Sequence, residues 1–486
     1  EDAQKADKGD LKSIMGIRDT NQKTKKIEMT SGSLWKNIFL FSVPLMFAQL
    51  LEVMFNLSDV AVVGRFADYK ALGSVGSTTI LVTLFTGLLI GMGSGVNVQT
   101  ALSLGAGNQK KVEKTVHTSL LICTAAGLIV GAVCFLFADG MLSLMNTKPE
   151  LIDQAVLYLK IYALGLPALA VYNFGNGVLS ARGDTKRPLV FLIISGVINA
   201  ILNMILVIIF HLGVAGVAIA TVISQLISCI LVLLCLYKTE GSYQLRFSKL
   251  KMKKEYLKQI FQVGIPAGVQ STVINFSNAL LQSSVNSFGS TAMAGYTAAN
   301  NILGFLYASI NAVTQACMSF TSQNYGVNKP KRMDRVMVDC IILSVGVSLV
   351  FGCGAYAFGG EILKIYTTDP EVIRCGMEIL ALTTVTYFLC GVMDLFPGAL
   401  RGMGASAVPM ILSIIGTVGT RIVWIFGIFP SHRSLKILFV SYPASWMLTI
   451  LMQAVCFYFV RKKVHRELKQ QTVFENDKVR QKGKKQ

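Results

Sequence analysis

The chain has 486 residues, 53% of them hydrophobic and only 15% charged, with a mean hydropathy of +0.56. Soluble domains carry about 25% charged residues, so this composition, with its repeated long apolar runs, excludes an ordinary soluble enzyme and indicates an all-α polytopic membrane protein. The formal charge of +19 does not point to nucleic acid, because Lys and Arg gather in the tails and in alternate loops, which is how membrane proteins encode orientation.

In chain order, residues 1–33 are polar and read as a cytoplasmic tail, and the first apolar run is too long for the core of a cleaved signal peptide. Twelve spans of bilayer length follow, near 36–63, 71–103, 116–138, 153–180, 188–210, 213–237, 257–288, 291–322, 336–358, 376–400, 408–430 and 435–460. They fall into a six-helix bundle over 34–237 and a second over 257–460, joined by a linker at 238–256 and followed by a basic tail at 461–486. Counting Lys and Arg on alternate sides gives about 35 on the side of both tails and about 7 on the other, so both termini are expected in the cytoplasm of a cell-membrane (inner-membrane) protein.

The first span carries the most chemistry. Gln49, Glu52, Asn56 and Asp59 follow one another at steps of 3, 4 and 3 and share one helical face. Intramembrane carboxylates are costly and usually face a bundle interior or a watery cavity, where they mark an ion or substrate path. The rival reading puts Asp59 at a helix end among headgroups. Pro44 lacks an N–H and crowds the preceding turn, which predicts a bend or hinge.

The second span contains GMGSGVN at 91–97, but no G-K-[ST] follows, so close helix packing by small residues is the better reading than a phosphate loop. In the seventh span Ser271, Asn275, Asn278 and Gln282 form a second polar face, uncharged, which reads either as substrate cavity or as a hydrogen-bonded packing seam. Asp394 in the tenth span is the acid of the second half, suited to a cationic substrate or to an ion pair with Arg421 or a neighbour. The ten cysteines lie mostly in apolar runs with no C-x-x-C pair, and no metal-binding, Ser/His/Asp or nucleotide motif is present, so no cofactor is expected and an enzyme is disfavoured.

The chain also repeats itself with a period near 221 residues. VPLMFAQ around Pro44 returns as IPAGVQS around Pro266, and GAGNQKKVEK (105–114) as YGVNKPKRMDR (325–335). TKPELI at Thr147 returns as TDPEVI at Thr368, and LSARGDTKRP (179–188) as LRGMGASAVP (400–409). Six spans per copy make these parallel repeats, related about the membrane normal. The alignment pairs Asn173 with Asp394, which adds Asn173 to the candidate cavity.

FNLSDVAVVGRF (55–66), ALGSVG (71–76), LSARGDTKRP, INAILNMILVI (198–208), GVAGVAIAT (213–221), GIPAGVQS (264–271) and LRGMG (400–404), in this order, resemble the multidrug and toxic compound extrusion (MATE) family, in particular its DinF-like bacterial branch. The resemblance implies two six-helix bundles around a central cleft and export of organic, often cationic or amphipathic compounds in exchange for H⁺ or Na⁺. It maps the essential cation-site acid onto Asp59 and two further positions onto Asn199 and Asn203, an amide at Asn203 standing where an aspartate is common. Glu52 and Asn56, on the Asp59 face, complete the expected coupling site, with Na⁺ ligation by Asp59, Asn199 and Asn203 as one form of it. Gln49, Asn173, Asn275, Asn278, Gln282 and Asp394 are the expected substrate contacts. The expectation is therefore an antiporter acting on small organic substrates as a monomer in the lipid bilayer. A flippase of a lipid-linked or endogenous metabolite is the alternative, and a membrane transferase a remote one.

Overall fold

The computed structural model describes residues 27–67, 69–145 and 147–483, so most of the expected N-terminal tail (1–26) and the last three residues lie outside it. All twelve expected spans are helices. The first six are α1 (Leu34–Phe66), α2 (Tyr69–Gly105), α3 (Gln109–Leu144), α4 (Pro149–Ala181), α5 (Lys186–Ile209) and α6 (Gly213–Lys238). The second six are α7 (Lys254–Asn286), α8 (Ser290–Gly326), α9 (Pro330–Ala357), α10 (Pro370–Gly402), α11 (Ala407–Ser431) and α12 (Leu435–Gly483).

Eleven of these are long and apolar enough to cross a membrane among the described residues. The remaining one, α7, is equally long at 33 residues but carries the polar face predicted for it. The helices overrun the apolar spans because their ends are built for it. Asn108 accepts the N–H of Lys111 at 3.0 Å and Asp369 that of Glu371 at 2.9 Å, while Pro149, Pro330 and Pro370 each open a helix. The largest overrun is α12, which continues as helix to Gly483, well into the segment expected as a tail. Helix α1 runs unbroken through Pro44, which is buried.

The two copies pack alike. Helix α4 lies against α2, α3 and α6 in the first lobe, and α10 against α8, α9 and α12 in the second. Each lobe has its own core, around Leu159, Leu166 and Ala163 in one and Ile302, Leu380 and Trp446 in the other. Even the π-helical turns recur, at Ile205–Ile209 near the end of α5 and at Trp424–Ile428 near the end of α11. Large apolar side chains such as Leu136, Val350, Phe426 and Phe459 cover the outside, as a lipid-facing shell requires. The linker folds back on α3, where the ring of His117 accepts the N–H of Arg246 at 3.0 Å and Lys249 pairs with Glu113 at 2.6 Å.

The lobes meet through α1 with α8, α2 with α7, and α2 with α8. Glycines bring α2 and α7 into backbone contact: a Cβ at Gly91 would lie 2.5 Å from the Gly268 nitrogen, and one at Gly95 2.5 Å from the Ile260 oxygen. GMGSGVN is thus a packing seam. Nearer the end that carries both termini, Cβ atoms at Gly105 and Gly326 would lie 2.1 Å from the Gln323 oxygen and 2.3 Å from the Leu102 oxygen. At the same end Ser319 donates to Asn97 at 3.0 Å and Asn324 to the Met29 carbonyl at 3.1 Å. The molecule is therefore closed at its terminal end, and its polar cavities lie beyond that seal.

Candidate functional site

Two polar cavities flank the cleft, one in each lobe. The first, of about 410 Å³, is lined by Gln49, Glu52, Asn56 and Asp59 of α1, with Asn173 of α4, Asn199 of α5, and Thr221 and Gln225 of α6. Helical spacing does this directly: four polar residues on one face of α1 turn together away from lipid. Asn199 and Asn203, one turn apart on α5, face the same place, and the π-turn begins two residues after Asn203. Such insertions recur at functional sites because they rotate the neighbouring side chains out of the regular helical register.

Asp59 lines this cavity, and Asn203 is fully buried behind it. The buried Asn203 amide donates to Asp59 Oδ1 and to Asn199 Oδ1 at 3.2 Å, and Thr221, whose hydroxyl donates to the Val217 carbonyl at 3.0 Å, lines the cavity with Asp59. Asn203 Oδ1 and Gln225 Oε1 are buried with no partner. A buried acceptor without a donor is uncommon and calls for an explanation. Asp59, Asn199, Thr221 and Gln225 bring oxygen donors to the cavity wall, the kind of group a hard cation prefers. A group of three or more His, Cys, Asp or Glu side chains fit for a metal is absent among the described residues. Glu52 lines the same cavity with no hydrogen-bond or ion-pair partner among them. Asn173 donates to the Leu169 carbonyl at 3.0 Å, and Gln49 faces Asn311 of the other lobe at 3.4 Å.

The second cavity, of about 330 Å³, holds Asn275, Asn278 and Asp394 as expected, together with Gln270, Tyr307, Arg401 and Arg421. Arg421 Nη1 donates to Asn278 Oδ1 at 2.7 Å, and its guanidinium stacks 4.3 Å from the Tyr442 ring centre. Arg401 Nη2 donates to Gln270 Oε1 at 2.6 Å. Among the described residues no ion pair joins Asp394 to Arg421, and the cation whose charge bears on Asp394 is a neighbour, Arg401. Gln282 shares the α7 face but lines neither cavity. It lies only four residues before the helix ends at Asn286, and it is exposed there. The two cavities adjoin through shared walls at Tyr307, Asn311 and Gln315.

Among the residues here that escaped the sequence reading are Thr221, Gln225, Gln270, Tyr307 and Arg401. Thr221 ends the GVAGVAIAT motif and Arg401 opens a repeat landmark, so both carried a signal. Nothing local separates Tyr307 or Gln225 from other polar residues of membrane helices.

The comparisons with known proteins agree with this architecture. The MatE family model matches residues 44–205 and 266–426, one segment in each half, beginning at the two prolines that open the repeat. The probable multidrug resistance protein YoeA of Bacillus subtilis (strain 168) is 29% identical over 442 residues, covering 89% of this chain and 95% of that protein. The multidrug export protein MepA of Staphylococcus aureus (strain NCTC 8325 / PS 47) is 26% identical over 385 residues, 79% of this chain and 84% of that one. A crystal structure of MATE in complex with MaL6 has the same fold, with a TM-score of 0.84 at 21% identity, covering 92% of this chain and 100% of its own. With both halves matched over well more than half of the sequence, the chain belongs to the MatE family of multidrug and toxic compound extrusion transporters.

Proposed function

We propose that this chain is a cation-coupled antiporter that exports organic compounds, cationic or amphipathic in character, by alternating access. It works as a single chain in the cell membrane with both termini in the cytoplasm. The coupling ion, H⁺ or Na⁺, occupies the site formed by Asp59, Asn199, Asn203 and Thr221, and Glu52 and Asn56 line its approach. The observation that carries this reading is the Asp59–Asn203 hydrogen bond, set in a cavity beside an unpartnered amide oxygen. A carboxylate in such a place trades its charge with a cation: unpaired burial favours the neutral form, while a bound proton or Na⁺ offsets the cost.

With cytoplasmic termini, the sealed terminal end makes this the outward-open state. Cation entry from outside would draw α1 toward α5 and α6 and narrow the first cavity, so that cargo is released outward. Ion and cargo are then linked reciprocally through the two global states. The test is efflux from proteoliposomes with sodium and pH gradients imposed separately. One gradient is expected to drive efflux, and Asp59→Asn to abolish it with membrane insertion intact. An Asp59→Asn variant that transports at the parental rate overturns the assignment.

A further inference from the structure

We infer that the cavity of the second lobe binds an oxyanion, a carboxylate or phosphate, with Arg421 as its anchor, so that the exported compound carries an anionic group beside any cationic one. The inference deepens the exporter reading and rests on it for the word cargo, but the site itself stands on geometry. Arg421 is 3% exposed, yet among the described residues no acid pairs with it. Its Nη1 donates to Asn278 and Ser277, both neutral, its face lies on Tyr442, and its Nε is buried without a partner. Arg401 in the same cavity also has a buried Nε without a partner. A buried guanidinium left without a counter-charge is costly.

Among the described lining residues the cavity holds one acid, Asp394, and its charge is shared with Arg401. Two permanent cations against one carboxylate leave the site positive. The first cavity is the reverse, with Glu52 and Asp59 and neither Lys nor Arg in its lining. Position supports the same conclusion. Arg421 sits in a single helical turn, Thr420–Val423, between π-turns at Ile414–Gly419 and Trp424–Ile428. Paired π-insertions around one inward-facing arginine are what a binding helix shows, since such turns recur at functional sites. Asn278 accepts from Arg421 through its oxygen and lines the cavity, and Asn275 is exposed beside it. Guanidinium and amide donors together suit a carboxylate or phosphate, and Tyr442 and Trp446 offer aromatic walls to an organic body.

The test is equilibrium binding to the purified full chain in detergent, comparing dansylglycine, a carboxylate, with dansylglycinamide, its neutral counterpart. The carboxylate is expected to bind about tenfold tighter. Arg421→Gln should erase the preference and Arg421→Lys retain part of it. Because Arg421→Gln also removes the hold on Asn278, Asn275→Asp at an exposed cavity position serves as the second variant, and it should lower the preference about tenfold by repulsion. Equal affinities in the parent, or an undiminished preference in Arg421→Gln and Asn275→Asp, overturn the site. Displacement by benzoate identifies a free solute, displacement by dihexanoylphosphatidylglycerol a lipid headgroup, and displacement by neither refutes the anchor. Asp59→Asn separates the two proposals. Preference kept while gradient-driven export continues undiminished counts against the coupling site; preference absent in a parent that exports counts against the anion site.

Discussion

Asp59 shows what a single buried charge demands of its neighbours. Its partner Asn203 is fully buried and comes from 144 residues away, and Thr221 of a third helix lines the same cavity. Thr221→Val keeps the shape and removes the hydroxyl. If that hydroxyl is a cation ligand, the half-saturating concentration of the coupling ion should rise several-fold while the level of protein in the membrane stays constant. An unchanged half-saturation removes Thr221 from the site. Asn203→Asp makes the opposite change. Two carboxylates in hydrogen-bond contact cannot both be ionised without a cation or proton between them, so the variant should carry one more positive charge per exported molecule. Charge movement measured on a supported membrane checks this, and an unaltered ratio refutes it. The α1 face that holds Gln49, Glu52, Asn56 and Asp59 was legible because helical periodicity is local. The partnership with Asn203 was visible only through family resemblance, since no spacing rule connects residues on different helices.

At the scale of elements, sequence pattern gave the helices well and their ends less well. An apolar window marks the stretch that lipid must cover, but α3 and α10 extend beyond it into polar turns closed by Asn108 and Asp369. The π-turns had no sequence signature, because one extra residue per turn leaves composition unchanged. The glycine run at 91–97 was correctly readable as a seam, though its partner was not. Gly91 meets α7 at Gly264 and Gly268, where an added Cβ would stand 2.6 Å from a carbonyl oxygen and 2.5 Å from a backbone nitrogen. Neither atom belongs to a side chain that could swing aside. Gly91→Val should therefore force α2 and α7 apart, at a cost on the order of 1–3 kcal/mol, and lower the apparent Tm in detergent. Gly140→Ala is the control, since a Cβ there meets nothing within 4 Å. Equal melting of the two variants would show that the seam tolerates separation.

For the whole molecule, the duplication yields two lobes, each with a core of its own, joined by a seam that runs from Gln49–Asn311 beside the cavities to the terminal end and includes an apolar cluster of Phe41 and Leu45 of α1 with Phe320 and Leu395 of the second lobe. Ser319 to Asn97 at 3.0 Å, Gln323 to the Ala181 carbonyl at 2.5 Å and Asn324 to the Met29 carbonyl at 3.1 Å are modest bonds of the kind that break and reform. Lobes with their own cores move as rigid bodies more readily than they deform. Alternating access then requires this seam to part in every cycle. Asn97→Cys with Ser319→Cys, in a background freed of the ten native cysteines, places a thiol on each side of it. Bridging the pair with a short bifunctional methanethiosulfonate should stop export, and reductant should restore it. Asn97→Cys alone is the reference, because it loses the bonds to both Ser319 and the Gly177 carbonyl without adding a tether. A bridged protein that exports as fast as this reference would mean that the terminal end stays shut throughout, and cargo would have to enter from the side of the bundle instead of between its halves.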